Sequence, residues 1–201
     1  MWTYEKRLQF PVKITKPCPK TASLIISQFG GPDGELAASM RYLSQRYSMP
    51  CKEVSGLLTD IGTEELAHLE MICAMIFQLT KNLTPEQVKS AGFDAYYVDH
   101  TTALWPTAAA GVPFNACEFQ SKGDAITDLF ENLAAEQKAR TTYDNILRVV
   151  DDPDVADAIR FLRQREVVHF QRFGEGLRRV QEDLDPKNFY QFNPGFDRCM
   201  K

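Results

Sequence analysis

The sequence predicts an all-α protein whose core is a bundle of four long helices. Apolar residues recur at helical spacing over four stretches, which are residues 21–48, 53–81, 124–150 and 154–182. The second and third stretches are separated by residues 83–122, which show no sustained periodicity and are rich in Pro, Gly and aromatic residues. A connection of that length suits a crossover from one end of a bundle to the other.

Composition narrows the class of protein. The chain has 201 residues and a formal net charge of −4, and it has no run of Lys or Arg, so we expect no nucleic-acid partner. It has no apolar stretch long enough to span a membrane, and its first residues lack the apolar core of a signal peptide. Its five cysteines form no Cys-x-x-Cys pair, which favours a reducing compartment and cytoplasmic synthesis.

The first 20 residues contain Pro11, Pro17 and Pro19 and read as an extended arm. The first helical region follows, with Leu36, Met40, Leu43 and Tyr47 as its predicted apolar stripe. Gly30-Gly31-Pro32 is a helix breaker. The helix therefore either begins at an Asp33 cap or is a longer helix with a kink, and we favour the kinked helix.

The other helices have clearer limits. The second follows the first after the short Met49-Pro50-Cys51 connection, so the two should be antiparallel neighbours. Asp152 is the expected cap of the fourth helix, with Pro153 at its first position. The predicted organisation is an N-terminal arm (residues 1–20), a four-helix bundle (21–182) and a C-terminal arm (183–201).

Polar residues interrupt the apolar stripes of the helices. Glu-x-x-His occurs in the second and fourth helices, and each string places a carboxylate and an imidazole on one helix face. The interrupting residues are Glu65, His68, Glu136, Glu166 and His169, and Glu35 lies beside the stripe of the first helix. Buried carboxylates that converge are costly unless cations neutralise them. Two Glu-x-x-His helices and two further glutamates are the ligand pattern of dinuclear metal sites in bundles, and these ligand types suit manganese or iron.

Taken singly, each residue has a plainer interpretation. Glu35 could favour the positive end of a helix, and Glu65 and Glu136 could be surface acids. Glu166 could form an exposed ion pair with a nearby arginine. A lone histidine is more often a core residue than a ligand, and His100, in the crossover, is interpreted as structural. The joint pattern favours the metal site.

Three strings carry a resemblance to a known family. They are Gln28-Phe29-Gly30-Gly31 leading into Gly34-Glu35-Leu36, the string Thr59-Asp60-Ile61-Gly62-Thr63-Glu64-Glu65-Leu66-Ala67-His68-Leu69-Glu70-Met71-Ile72, and Arg165-Glu166-Val167-Val168-His169. They resemble the manganese catalase family of the ferritin-like superfamily, over about residues 21–180. The short length and the opening residues resemble its small spore-coat branch.

The resemblance implies a role for each residue. Glu35 and His68 would bind one manganese ion, Glu136 and His169 the other, and Glu65 would bridge them. Glu166 would be an outer carboxylate rather than a ligand, although bundle geometry alone would make it a second bridge between the metals. We interpret Glu166 as the candidate general acid or base. The resemblance places Tyr42 beside the site as a supporting tyrosine. Some members of the family have Arg immediately before the third-helix glutamate, where this chain has Ala135.

The implied activity is disproportionation of hydrogen peroxide to water and oxygen by a homo-oligomeric dimanganese enzyme assembled into the spore coat with other coat proteins. Two alternatives remain open from the residues. One is a structural coat protein whose metal site mainly stabilises the bundle, and the other is a di-iron oxidase or peroxidase.

Overall fold

The computed structural model describes Thr3 and residues 7–94, 105–118 and 120–184. Its helices, numbered in chain order, are α1 Pro19–Ile25, α2 Ser27–Gly30, α3 Glu35–Gln45, α4 Lys52–Thr80, α5 Pro85–Ser90, α6 Ala125–Val149 and α7 Pro153–Leu184. Three short 3₁₀ turns lie at Arg46–Ser48, Ala109–Gly111 and Ala116–Glu118. The bundle consists of α3, α4, α6 and α7, and the predicted all-α four-helix architecture is confirmed.

Helices α3 and α6 run antiparallel. The Tyr42 hydroxyl donates to Glu136 Oε1 at 2.5 Å, and three residues further along α3 the Gln45 side chain accepts from Asn132 Nδ2 at 2.7 Å. As residue numbers increase along α3, the residue numbers of the contacting partners on α6 decrease, so the two helices run in opposite directions.

Helices α4 and α7 are also antiparallel, since Asp60 pairs with Arg172 and Glu64 pairs with Arg165. Short connections join α3 to α4 and α6 to α7. It follows that α4 and α6 point the same way, so the connection between them must return along the length of the bundle.

Only part of this crossover lies within the described residues. Phe93 packs into the cluster at the end of α4, and the backbone at Pro106 passes directly over Gly30. The Gln120 carbonyl then accepts from Gln45 Nε2 at 3.4 Å. Residues 95–104, which include His100, and residue 119 lie outside the described part.

The first helical region is broken rather than smoothly kinked. Gly31 and Gly34 are extended, with ψ near 163° and 172°, and α3 begins after Gly34. The less favoured alternative, an Asp33 cap, is wrong, because Gly34 occupies the N-cap position and the Asp33 carboxylate pairs with Lys138 at 2.8 Å. A side chain at position 34 would lie within 2.7 Å of the Gln28 carbonyl oxygen, so the chain can turn here only with glycine.

The predicted apolar stripe of this region is also wrong. Met40 and Tyr47 are exposed, at 43% and 80%, while the buried face of α3 carries Glu35, Ala38 and Tyr42. The three other bundle helices, α4, α6 and α7, begin and end within two residues of the predicted limits. The Asp152 carboxylate accepts from the backbone amide of Asp154, as expected for the cap of α7.

The apolar core forms two clusters. One contains the N-terminal arm, the end of α4 and the start of α7, with Ile72 and Ile159 at its centre. The other contains the start of α4 and the end of α7, with Leu58 and Phe173 at its centre. The division into two arms and a bundle stays a prediction, and residues 185–201 of the C-terminal arm lie outside the described part.

In the described part of the chain, the helices all lack an apolar run long enough to cross a lipid bilayer.

Candidate metal centre

A layer of buried polar side chains lies between the two apolar clusters. Each bundle helix contributes to it: α3 and α6 one glutamate each, and α4 and α7 one Glu-x-x-His string each. All of these side chains are at most 2% exposed. They are Glu35, Glu65, His68, Glu136, Glu166 and His169.

Glu65 lies at the centre of the layer. Its Oε2 is 2.8 Å from His68 Nδ1, and its Oε1 is 2.8 Å from His169 Nδ1. One carboxylate therefore faces both imidazoles, each with a different oxygen. This is the arrangement needed for a carboxylate that bridges two ions.

Two further glutamates complete two similar halves. Glu35 Oε2 is 3.7 Å from His68 Nδ1, and Glu136 Oε2 is 3.5 Å from His169 Nδ1. Imidazole and carboxylate atoms lie about 2 Å from a divalent ion, so atoms that share one ion are about 3–4 Å apart. The observed separations fall in this range in both halves.

Glu166 also lies inside the layer. Its Oε1 is 4.0 Å from His68 Nδ1, and Glu65, His68, Glu166 and His169 each offer an atom within 4.8 Å of the others. The plain interpretation of Glu166 as an exposed ion pair is wrong, since its neighbour Arg165 pairs with Glu64. Its assignment as proton carrier rather than ligand stays a prediction.

Several buried polar atoms of the layer make no hydrogen bond in the described part of the chain. On the inner side they include Glu136 Oε2 and Glu166 Oε1, together with Glu65 Oε1 and His169 Nδ1, which lie 2.8 Å apart without forming a hydrogen bond. Such atoms are costly in a protein interior unless something pairs with them. The donor set contains carboxylate and imidazole but no thiolate, and it fits two manganese or iron ions.

Tyr42, predicted beside the site, is buried, and its hydroxyl donates to Glu136. Tyr143 was missed as a site residue. It lies on α6, is fully buried, and its hydroxyl donates to Glu35 Oε1. A sequence signal existed, because Glu35 and Tyr42 have the same seven-residue spacing as Glu136 and Tyr143.

Glu64 was missed as well. Its Oε2 is 3.0 Å from His169 Nε2 and its Oε1 is 3.7 Å from His68 Nε2, so it faces the outer nitrogen of both imidazoles. Arg165 donates to both of its oxygens, at 2.7 and 3.1 Å. Gln9 of the N-terminal arm donates to Oε1 at 2.7 Å. Outer carboxylates of this kind orient metal-binding imidazoles.

The N-terminal arm covers the histidine side of the layer. Phe10 stacks on Phe161 at 4.9 Å between ring centroids, and Phe161 meets the His68 ring edge-on at 6.5 Å. The Gln78 side chain accepts from the Ile14 amide and donates to the Val12 carbonyl, which fixes the arm to α4. This segment of the arm therefore packs on the body of the bundle.

Position 135, where some family members have Arg, holds a buried Ala. A buried cation reaches the same region from α3 instead. Arg41 is 2% exposed, and its guanidinium carbon is 5.4 Å from the centre of the Tyr42 ring. The Glu136 half of the layer thus has a positive charge beside its tyrosine.

Burial changes the protonation of the acids in the layer. Burial, reinforced by the neighbouring Glu65 charge, raises the pKa of Glu35 to about 7. Burial and repulsion from Glu136, Glu65 and Glu35 raise the pKa of Glu166 well above its usual range. Both shifts favour the protonated, neutral form of these two acids.

At the centre of the layer, the pKa of Glu65 shifts in the opposite direction, downwards. Burial alone would raise the pKa of Glu65, but the facing His169 and His68 outweigh it and lower that pKa. Burial would likewise lower the pKa of both imidazoles, yet the Glu65 charge and the surrounding carboxylates raise it. The raised imidazole pKa values favour protonated histidines beside Glu65, and cations that bind to these nitrogens would have to displace the protons.

Comparison with known proteins identifies relatives of this chain. A family described as manganese containing catalase matches residues 1–191. Protein CotJC of Bacillus subtilis is 55% identical over 94% of this chain and all of its own length. KatB, a manganese catalase from Anabaena PCC7120, is 30% identical in a solved structure with a TM-score of 0.80, covering 94% of this chain and 81% of KatB.

A dodecameric thioferritin, the bacterioferritin-related protein of Bacteroides fragilis, has a TM-score of 0.55 at 16% identity, covering 84% of this chain and 88% of its own. That likeness concerns the fold alone, and it confirms the ferritin-like bundle. With the family match over nearly the whole length and a buried Glu/His layer where two ions would fit, the chain belongs to the manganese catalase family.

Proposed function

We propose that this protein binds two manganese ions and disproportionates hydrogen peroxide, converting two H₂O₂ into two H₂O and one O₂. The observation that carries the proposal is the Glu65 carboxylate, whose two oxygens each face a different buried imidazole at 2.8 Å. The family and the KatB likeness support manganese and peroxide as metal and substrate.

The chain's own residues would hold the ions in two halves. Glu35 and His68 would bind one ion, Glu136 and His169 the other, and Glu65 both. When bound, the ion pair supplies a two-electron couple that oxidises one peroxide and reduces the next. Tyr42 keeps one oxygen of Glu136 engaged, so that the other is left facing the metal position.

Glu166 is our candidate general acid and base. It lies within the layer, and burial with like charges around it raises its pKa, so that it can hold a proton near neutral pH. Peroxide reduction consumes protons and peroxide oxidation releases them. One carboxyl group could serve both half-reactions, because it donates a proton during peroxide reduction and accepts one during peroxide oxidation.

The test measures metal content and oxygen evolution on the same manganese-loaded sample. We expect Glu65→Ala to lose both ions and all activity, and Glu166→Gln to keep two ions while turnover falls by about 100-fold or more, as for a lost general acid–base. Glu70→Gln, an exposed acid on the same helix, serves as the control and should match the wild type in both measurements.

Three results would change the proposal. Loss of both ions from Glu166→Gln makes Glu166 a ligand. Two ions without oxygen evolution in the wild type would favour the structural coat protein. Iron in freshly purified protein, with oxidase or peroxidase activity, would favour the di-iron alternative.

We also propose a location in the spore coat, as a homo-oligomer in contact with other coat proteins. The supporting observations are the opening residues of the chain and its similarity to Protein CotJC over the whole of that protein. Immunodetection in coat extracts of purified spores tests the location, and its absence there would contradict it. Light scattering of the purified protein gives the oligomeric state, and a monomer would rule out the homo-oligomer.

A further inference from the structure

Two tyrosines tie α3 and α6 together in a crossed arrangement. Tyr42 lies two turns after Glu35 on α3 and donates to Glu136 on α6. Tyr143 lies two turns after Glu136 on α6 and donates to Glu35 on α3. Residues seven positions apart share a helix face, so the antiparallel pair brings both contacts into one layer.

Each tyrosine engages Oε1 of its glutamate, and Oε2 then faces an imidazole. In one half, Tyr143 engages Glu35 Oε1, and the other oxygen, Oε2, is 3.7 Å from His68 Nδ1. In the other half, Tyr42 engages Glu136 Oε1, and Oε2 is 3.5 Å from His169 Nδ1 without a hydrogen-bond partner. The two halves therefore have the same local design.

We propose that Tyr143 is a positioning residue for the Glu35 half of the metal centre. Its hydroxyl holds one oxygen of Glu35 and thereby presents the other to the ion. This inference rests on the proposed dimetal function. It assigns the two tyrosines to different ions, and each tyrosine serves the ion whose glutamate lies on the opposite helix.

The alternative is that Tyr143 only fills the core, since its ring packs in the cluster that contains Ile146 and Ile159. Phenylalanine at position 143 keeps that packing and removes only the hydroxyl. The buried Gln28 side chain lies beside this hydroxyl, whose hydrogen bond goes to Glu35 Oε1.

The first experiment is a calorimetric titration of metal-free Tyr143→Phe with Mn²⁺. We expect two ions in the wild type and in the variant, with one of them bound about 10–100-fold more weakly in the variant, the usual effect of losing an outer partner of a ligand. Tyr47→Phe, which changes a tyrosine that is 80% exposed, should bind both ions as the wild type does.

The second experiment identifies which ion is affected. Glu35→Gln should leave one ion, at Glu136 and His169. In that background Tyr143→Phe should leave the remaining dissociation constant unchanged, while Tyr42→Phe should raise it about 10–100-fold. If Tyr143→Phe alone does not fold, Glu35→Leu combined with Tyr143→Phe removes both polar partners of this buried hydrogen bond, which is milder than removing one, and it should bind the remaining ion as Glu35→Leu alone does.

The proposal is overturned if Tyr143→Phe binds both ions with wild-type affinity. It is also overturned if Tyr143→Phe weakens the remaining ion of Glu35→Gln as strongly as Tyr42→Phe does. A wild-type protein that binds fewer than two ions would overturn the dimetal function itself, which separates the two failures.

Discussion

At the scale of single residues, acids with nearly the same sequence context have different environments. Glu64 and Glu65 are neighbours, yet Glu65 is 1% exposed between the two imidazoles, while Glu64 lies at the edge of the layer among Arg165 and Gln9. Burial would raise the pKa of Glu64, but its hydrogen bonds to His169, His68, Arg165 and Gln9 outweigh burial and lower it. Glu64 is thus a permanent anion behind both histidines.

Glu64→Gln should therefore weaken metal binding without unfolding the protein. The amide cannot accept from both imidazoles and from Arg165 as the carboxylate does, so the imidazoles lose their orientation. We expect about a 10–100-fold rise in the Mn²⁺ dissociation constant, measured by calorimetry.

Glu70→Gln on the same helix is the matched control, because that acid is exposed. Equal affinities for Glu64→Gln and Glu70→Gln would show that Glu64 does not orient the histidines.

The residues on the apolar stripes of α4, α6 and α7 could be predicted from sequence, because helical spacing places them on a buried face. Glu65, His68, Glu136, Glu166 and His169 interrupt such stripes, and the structure brings them together with Glu35. Glu64 could not be predicted, since its partners are 101 and 105 positions away in the chain. Tyr143 could have been found because it follows Glu136 by seven residues, as Tyr42 follows Glu35, but a tyrosine on an apolar stripe is equally typical of an ordinary core residue.

At the scale of elements, the break in the chain before α3 fixes the position of Glu35, the first candidate ligand along the chain. The extended residues Gly31 and Gly34 end α2 and start α3, so that Glu35 is the first residue of the new helix and is buried. Gly30 lets the crossover pass, because a Cβ at position 30 would lie 2.3 Å from the Pro106 carbonyl carbon. The backbone of the crossover thus packs closely against the segment that leads into α3.

Gly30→Ala should destabilise the protein, since backbone rather than a flexible side chain must move to admit the methyl group. We expect a loss of about 1–3 kcal/mol in the free energy of unfolding, measured by urea denaturation.

Gly56→Ala provides the contrast. Position 56 is an exposed site within α4 with nothing within 4 Å of the added Cβ, and it should gain up to about 1 kcal/mol from helix propensity. A Gly30→Ala variant as stable as the wild type would contradict the close packing of the crossover.

The long helices could be predicted from sequence to within two residues, because their periodicity and caps are local. The first region could not. Its stripe of Met40 and Tyr47 follows helical spacing, yet both residues are exposed, and the face that is buried carries polar groups that belong to the metal layer. In α3, therefore, the spacing of apolar residues predicts the wrong buried face, because the face that is buried carries the polar residues of the layer.

At the scale of the whole molecule, two apolar clusters enclose a charged layer. The clusters supply hydrophobic stabilisation on both sides of it, so we expect the bundle to stay helical without metal. The layer itself holds protons when ions are absent: Glu35 has its pKa raised to about 7, and the pKa values of Glu166 and both imidazoles are also raised.

Manganese should therefore raise the melting temperature more at about pH 8 than at about pH 6. Bound ions must displace these protons, and displacement becomes easier as pH rises through the pKa of Glu35. Differential scanning calorimetry with and without Mn²⁺ at both pH values measures the effect. A shift that is equal at both pH values, or larger at the lower one, would contradict the competition between protons and ions.

The position of the donors along the chain has a consequence for biosynthesis. Arg165 follows Glu64 by 101 positions along the chain, and His169 is made after Arg165. A nascent chain without α7 therefore has one of the two imidazoles, and its Glu64 lacks the arginine partner. If the protein binds two manganese ions as we propose, uptake of the second ion must await the synthesis of α7.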